Sequence, residues 1–203
     1  MGRYGLVIDL GRCIGCMTCT IACKVENGTR PGIFWNIVKD QEFGTYPNVS
    51  RIFLPIQCAH CAEAPCVDVC PTGASYKRED GIVLIDYDKC VGCKYCIEAC
   101  PYGARYFNDE KEGYFGDGLT PNEEIGYAKH KLGVVEKCTF CFHLIKEKKQ
   151  PACVQGCVGK ARYFGDLDDP VSEVSGLIKS DDALQLKKEL GTDPSLYIIS
   201  PSM

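Results

Sequence analysis

No stretch of this sequence is apolar for long enough to cross a bilayer, and the opening Met1-Gly-Arg-Tyr-Gly-Leu-Val-Ile-Asp9 carries no apolar leader run. Taken alone, that points to the cytoplasm. Positive charge is not in excess either: 23 Lys and Arg face 27 Asp and Glu, for a formal net charge of −4. A nucleic-acid partner, held chiefly through its phosphates, is not expected of such a chain. No phosphate-binding glycine loop, nucleophile-and-base arrangement or metal triad with an open position marks a catalytic site. No CxxCH sequence occurs, since Phe142 follows Cys141, and covalent haem attachment drops out.

Cysteine is what the chain has in plenty. Sixteen of its 203 residues are Cys, at positions 13, 16, 19, 23, 58, 61, 66, 70, 90, 93, 96, 100, 138, 141, 153 and 157, in four groups of four. A disulfide scaffold, structural zinc sites and iron–sulfur clusters compete for that number. Without a leader run, and with near neighbours that make poor bridge partners, disulfides fit badly. Zinc fits better, because CxxC pairs are its usual knuckles, but zinc sites join two separated pairs, whereas here three thiols fall within seven residues.

The stretch that decides between them is Cys90-Val-Gly-Cys93-Lys-Tyr-Cys96-Ile-Glu-Ala-Cys100-Pro101, the bacterial ferredoxin run. Its short loop can wrap three corners of a cubic [4Fe–4S] cluster, while the fourth cysteine faces away and ligates the neighbouring cluster. Each such core with four thiolates carries a charge of −2, so four would take the chain from −4 to about −12, to be offset by backbone N–H groups and basic neighbours.

Taken in order, Tyr4–Asp9 reads as a buried strand entering the first motif, Cys13-Ile-Gly-Cys16-Met-Thr-Cys19-Thr-Ile-Ala-Cys23. Lys24 stands where the central motif has proline, which leaves helix free to run from Thr18 to Val25 and on until Asn27-Gly28. Residues 29–51 read as a loop-rich insertion packed by Trp35, followed by a strand through Arg51-Ile-Phe-Leu54. The second motif stretches one gap, Cys58-Ala-His-Cys61-Ala-Glu-Ala-Pro-Cys66-Val-Asp-Val-Cys70-Pro71, and a hairpin turning at Asp80-Gly81 leads to the third. Residues 111–132 form a second polar, glycine-bearing insertion. The fourth motif, Cys138-Thr-Phe-Cys141 and Cys153-Val-Gln-Gly-Cys157, holds eleven residues inside it. Pro170–Lys179 and Asp181–Leu190 read as short helices and Leu196–Ile199 as a strand packed back on the body. Lys146–Lys149 reads as a solvated helix face.

The motifs repeat more than their cysteines. Arg12, Lys89 and Lys137 directly precede a first cysteine, Asp9 and Asp86 lie four before one, and Tyr76, Tyr106 and Tyr163 fall six after a last cysteine. Ala104-Arg-Tyr-Phe-Asn-Asp109 echoes Ala161-Arg-Tyr-Phe-Gly-Asp166. The CxxxCP endings join motifs two and three into one pair and leave one and four to pair across the chain. The expected ligand sets are Cys13, Cys16, Cys19 and Cys157; Cys138, Cys141, Cys153 and Cys23; Cys58, Cys61, Cys66 and Cys100; and Cys90, Cys93, Cys96 and Cys70. The fold expected is α+β: duplicated ferredoxin-like units, of short strands and helices around four [4Fe-4S] clusters, with loop insertions. Residues 1–28 with 133–166 make one unit, 52–110 the other, 29–51 and 111–132 the insertions, and 167–203 a C-terminal extension. Gly15 and Gly92 let the CxGC turns approach a sulfide. His60 and His143 could suggest a Rieske centre, but with every cysteine set complete they read as supporting or surface residues.

CAHCAEAPCVDVCPTGA, CVGCKYCIEACPYGARYF, KCTFCFHLIKEKKQPACV and GDLDDP, in this order, resemble the four-cluster electron-transfer subunit of the dimethyl-sulfoxide-reductase family of molybdenum or tungsten oxidoreductases. The resemblance spans nearly the whole chain. It implies a non-catalytic relay of single electrons between a molybdopterin catalytic subunit and an integral membrane quinone-binding anchor or a soluble redox partner, with the outer pair nearest the pterin and the cluster of Cys90, Cys93, Cys96 and Cys70 farthest from it. Nitrate-reductase relatives replace one third-motif cysteine by tryptophan; this chain keeps all four. Cys157-Val158 departs from the proline many relatives place there. Folded export on a partner's signal is also implied, so the periplasmic side of a membrane stands beside the cytoplasm. A stand-alone polyferredoxin and a zinc-binding interaction module are the alternatives.

Overall fold

The computed structural model describes residues 2–109, 111–116, 118–180 and 183–201. In chain order the elements are β1 (Tyr4–Asp9), α1 (Thr18–Asn27), β2 (Asn36–Thr45), β3 (Asn48–Gln57), α2 (Pro65–Asp68), β4 (Ser75–Lys77), β5 (Val83–Ile85), α3 (Tyr95–Glu98), β6 (Tyr106–Asn108), α4 (Pro121–Tyr127), β7 (Val134–Glu136), α5 (Phe142–Lys146), α6 (Ala152–Gln155), β8 (Arg162–Asp166), α7 (Glu173–Ser180), β9 (Leu184–Gln185) and β10 (Leu196–Ile199). The fold is α+β. Among the described residues no helix is long and apolar enough to cross a membrane.

The largest sheet runs β8-β1-β10-β9. Leu6, Val7 and Ile8 of β1 are fully buried, and that apolar run explains its central place. β10 pairs with it in parallel, Leu6 opposite Leu196, while β8 pairs antiparallel and sets Arg162 opposite Ile8. Both ends of the chain and the exit of the fourth motif thus meet in one sheet. The remaining sheets are two-stranded hairpins or pairs: β2-β3, β4-β5 and β6-β7.

One backbone plan recurs in the motifs. The third residue of the first CxxC loop in each motif has a positive φ: Gly15 (68°), His60 (44°), Gly92 (69°) and Phe140 (53°). The third cysteine of each motif, Cys19, Cys66, Cys96 or Cys153, is then the second residue of a helix. Three residues after the last cysteine the chain turns left-handed again at Gly73, Gly103 and Lys160, whose N–H groups donate to the carbonyls of Cys70, Cys100 and Cys157. The turn after Cys157 therefore forms without the proline. α1 has no such stop and continues to Asn27, where Gly28 at φ 61° ends it.

Several expectations are corrected. Residues 29–51 are not mainly loop, since most of them belong to the ten-residue arms of the β2-β3 hairpin, paired from Asn36–Gln57 to Thr45–Asn48. Its outer arms are exposed on both faces, so no apolar alternation marked them. The second insertion contains α4, started by a capping box in which the Glu123 N–H donates to the Thr120 hydroxyl and the Thr120 N–H to the Glu123 carboxylate. The expected helix through Asp181–Leu190 is instead β9 and a 3-10 turn at Lys188–Leu190; Asp181 and Asp182 lie outside the described residues. Lys146–Lys149 is exposed as expected, but α5 already ends at Lys146.

Candidate functional site: four quartets of thiols

All sixteen cysteines are free thiols. Three cavities are each lined by four of them: Cys13, Cys16, Cys19 and Cys157; Cys23, Cys138, Cys141 and Cys153; and Cys70, Cys90, Cys93 and Cys96. Cys58, Cys66 and Cys100 surround Cys61 closely enough that their charges bear on its thiol. In every quartet one cysteine comes from a different motif.

Shared neighbours give the order of the quartets. Arg162 faces Cys153 and Cys138 of one quartet and Cys19 and Cys157 of another. Cys138 feels Cys58, and Tyr106 lies against Cys100, Cys23 and Cys138, which joins the second quartet to that of Cys61. Arg105 faces Cys66 and Cys58 on one side and Cys96 on the other. The quartets thus form a row. Cys16 and Cys93, in its first and last members, are exposed, whereas all four cysteines of the Cys138 quartet are buried.

This donor set cannot hold its own charge. Burial, reinforced by neighbouring thiols, pushes Cys61 up to about 12 and Cys66 and Cys141 to about 11, and drives Cys138 well above its ordinary value. Four such thiols become thiolates together only around a multiply charged cation centre. Among the described residues, no three His, Cys, Asp or Glu side chains converge on a point that would suit a single metal ion. The quartets fit a group with several metal corners.

The chain also aims donors at sulfur. The Ser75 N–H donates to Cys70 Sγ (3.4 Å), Ala161 N–H to Cys157 Sγ (3.2 Å) and Phe140 N–H to Cys138 Sγ (3.4 Å). Against the upward push of burial, the Ser75 N–H and the Thr72 hydroxyl carry the Cys70 thiol below its ordinary value. Asn27 Nδ2 lies 3.6 Å from Cys23 Sγ and 3.8 Å from Cys141 Sγ. Arg105 donates from Nη2 to Cys66 Sγ at 2.8 Å. Nε of Arg105 and Nε of Arg162 are buried without a protein partner, open to an acceptor from a bound group.

Other predicted residues divide. His60 is wholly buried, its ring stacked on Phe140 at 3.8 Å, and its Nδ1 accepts from the Val83 N–H; burial holds it neutral, with Lys137 and Arg105 adding to the effect. His143 sits at the surface, 2.8 Å from Glu26. Trp35 is buried as expected. Of the basic residues before first cysteines, Lys137 is buried and donates to the Val83 and Cys138 carbonyls, Lys89 pairs with Asp86, and Arg12 reaches the Tyr163 hydroxyl. Sequence reasoning missed Arg105 and Arg162 as functional residues, although the echo of Ala104-Arg-Tyr-Phe in Ala161-Arg-Tyr-Phe was the signal for them.

Comparison with known proteins agrees with this chemistry. A family model of the 4Fe-4S dicluster domain matches residues 49–115 and 121–167. A Halobacterium salinarum protein provisionally named as a dimethyl sulfoxide reductase iron-sulfur subunit is 49% identical over 100% of this chain and 81% of its own. A selenate reductase subunit of Mesobacillus selenatarsenatis is 44% identical (98% of this chain, 72% of its own), and the arsenate respiratory reductase iron-sulfur subunit of a Shewanella species is 43% identical (97% and 96%). The chain belongs to the 4Fe-4S dicluster proteins that serve as iron–sulfur subunits in the dimethyl-sulfoxide-reductase family.

Proposed function

We propose that this chain is a one-electron relay holding four [4Fe-4S] clusters in a row, ligated by Cys13, Cys16, Cys19 and Cys157; Cys138, Cys141, Cys153 and Cys23; Cys58, Cys61, Cys66 and Cys100; and Cys90, Cys93, Cys96 and Cys70. Such a cluster supplies a one-electron couple whose potential depends on burial, sulfur hydrogen bonds and local charge. The observation that carries this reading is the row of thiol quartets, exposed at its two ends and buried between. The residues around each quartet exclude water, donate to sulfur and supply interior positive charge. Residues 1–28 with 133–166 form one ferredoxin-like unit and 52–110 the other, a division supported by the pairing of β1 with β8 across the chain.

The partner at one end is a molybdopterin-containing catalytic subunit, and at the other a membrane quinone-binding anchor or a soluble carrier. Relatives named as subunits of selenate and arsenate reductases support the first. Exposed apolar side chains support contact at both ends: Ile14, Met17, Ile21 and Val158 beside the first quartet, Val69, Val91 and Tyr95 beside the last. Anaerobically purified protein is expected to be brown, to bleach with dithionite, and to carry about sixteen iron atoms at four per cluster, together with a large pterin subunit. A colourless, zinc-loaded chain would refute the relay, and a chain that purifies with full iron but no partner would leave a stand-alone polyferredoxin.

A further inference from the structure

Three basic side chains are buried in the relay: Lys137, which donates to the Val83 and Cys138 carbonyls and faces Cys66, and two arginines at equivalent places. Arg105 and Arg162 each lie five residues after the last cysteine of a motif, each follows a buried alanine (Ala104, Ala161), and each is only 4% exposed. Each guanidinium stands between two quartets: Arg105 between those of Cys66 and Cys96, Arg162 between those of Cys153 and Cys19. There is one arginine for each pair of quartets.

The partner motif makes room for it. Five residues after Cys70 stands Ser75, the counterpart of Arg105, and the two touch: Arg105 Nη1 donates to Ser75 Oγ at 2.8 Å. A second arginine at that place would set two buried like charges against one another. Arg105 is also fixed to sulfur, with Nη2 on Cys66 Sγ at 2.8 Å, and its charge faces Cys96 in the adjoining quartet. Arg162 is held differently. Its Nη1 and Nη2 donate to Gln57 Oε1 (3.2 and 2.9 Å) and Nη2 to Asn36 Oδ1 (3.1 Å), while Gln57 Nε2 lies 3.9 Å from Cys138 Sγ. Arg162 also lines the cavity of Cys13, Cys16, Cys19 and Cys157.

We propose that Arg105 and Arg162 are fixed interior counter-ions of the two cluster pairs, each raising the reduction potentials of both clusters beside it, with Arg105 also hydrogen-bonded to a ligand sulfur. This rests on the relay reading above. Reduction adds one electron to a cluster that is already anionic, and a buried positive charge favours the more negative state. Because each arginine is shared, its influence falls chiefly on two clusters at once and weakens with distance beyond its pair. The direct sulfur contact makes the effect of Arg105 the larger.

The test is a potentiometric titration followed by electron paramagnetic resonance on the anaerobically purified complex, comparing wild type with Arg105→Gln, Arg105→Lys and Arg162→Gln. In Arg105→Gln the two clusters expected at Cys58/Cys61/Cys66/Cys100 and Cys90/Cys93/Cys96/Cys70 become harder to reduce by at least tenfold in the reduced-to-oxidised ratio, about 59 mV for a one-electron couple, while the other two shift clearly less. Arg105→Lys, which keeps the charge, restores most of the difference. Arg162→Gln shows the mirror pattern with a smaller shift, and it carries the test alone if Arg105→Gln loses iron, since Arg162 donates to no thiol directly. Variants with full iron whose potentials match wild type, or in which all four clusters move together, overturn the proposal. Wild-type protein without clusters would instead sink the relay reading itself.

Discussion

Phe140 occupies a position where two physical effects oppose each other. It is the third residue of a CxxC loop, at φ 53°, where Gly15 and Gly92 stand in the first and third motifs. A left-handed conformation costs a side-chain-bearing residue roughly 1–2 kcal/mol, so Phe140→Gly relieves strain. The same change removes a ring that is 1% exposed, stacked on His60 at 3.8 Å and edge-on to Phe164 at 5.2 Å. Truncating a buried Phe costs about 3–5 kcal/mol. Packing wins, and Phe140→Gly is destabilised by about 2–3 kcal/mol. Phe140→Ala loses the same ring and keeps the strain, so it falls about 1 kcal/mol below the glycine variant, the reverse of the usual ranking of Ala over Gly. Loss of a cluster makes unfolding irreversible, so the assay is the half-life of visible absorbance in anaerobic guanidinium. The expected order is wild type, then Gly, then Ala, with up to about fivefold between the last two. An alanine variant that outlasts the glycine variant would refute the claim that backbone conformation, as well as packing, governs this position.

Three further outcomes follow from the same geometry. Cys100→Ala should disturb chiefly the cluster of Cys58, Cys61 and Cys66 and spare the cluster of its own motif, as read by the loss of one set of paramagnetic signals; the reverse pattern would refute the exchange of fourth ligands. Iron removal should collapse the fold, because thiols and a bound group fill the space that side chains fill elsewhere, and well-dispersed amide signals from iron-free protein would contradict this. The third concerns His130, whose side chain is 4% exposed. Burial acts to lower its pKa, but the Glu136 carboxylate at 2.7 Å and the Asn27 carbonyl at 2.6 Å hold it above the ordinary value. A raised folded pKa means that its stabilisation is complete below about pH 6.5 and is lost as pH rises through the folded value. Wild-type half-life in guanidinium should therefore decline across that window more steeply than that of His130→Gln, and parallel profiles would remove His130 as the cause.

How much of this was legible in the sequence depends on where the physics is local. The CxxC turns, the helix begun at Thr18, the Asp80-Gly81 hairpin and the strand Leu196–Ile199 all depend on short-range chemistry, and each is found where the residues put it. The β2-β3 hairpin was not legible, because β2 beyond Val38 and β3 from Asn48 to Arg51 are exposed on both faces and carry no alternation. Helix α4 was legible in principle: Thr120-Pro121 with Glu123 is a capping box, overlooked among the glycines of the insertion. The echo of Ala-Arg-Tyr-Phe was seen as a trace of duplication, yet nothing local shows that its arginine is buried between two thiol quartets. That depends on Ser75 and Gln57, which are brought to it from other motifs. The three tyrosines at repeated positions diverge in the same way, with Tyr76 exposed, Tyr163 bonded to Arg12 and Tyr106 packed among cysteines of two quartets.

The most direct measurement is an anomalous difference map at the iron edge from crystals of the anaerobically prepared protein. Four cubanes in a row are predicted, each bounded by three sulfurs of one motif and one from its pair, with Cys157, Cys23, Cys100 and Cys70 as the exchanged ligands. Isolated single ions, or a cubane whose four sulfurs all belong to one motif, would contradict it.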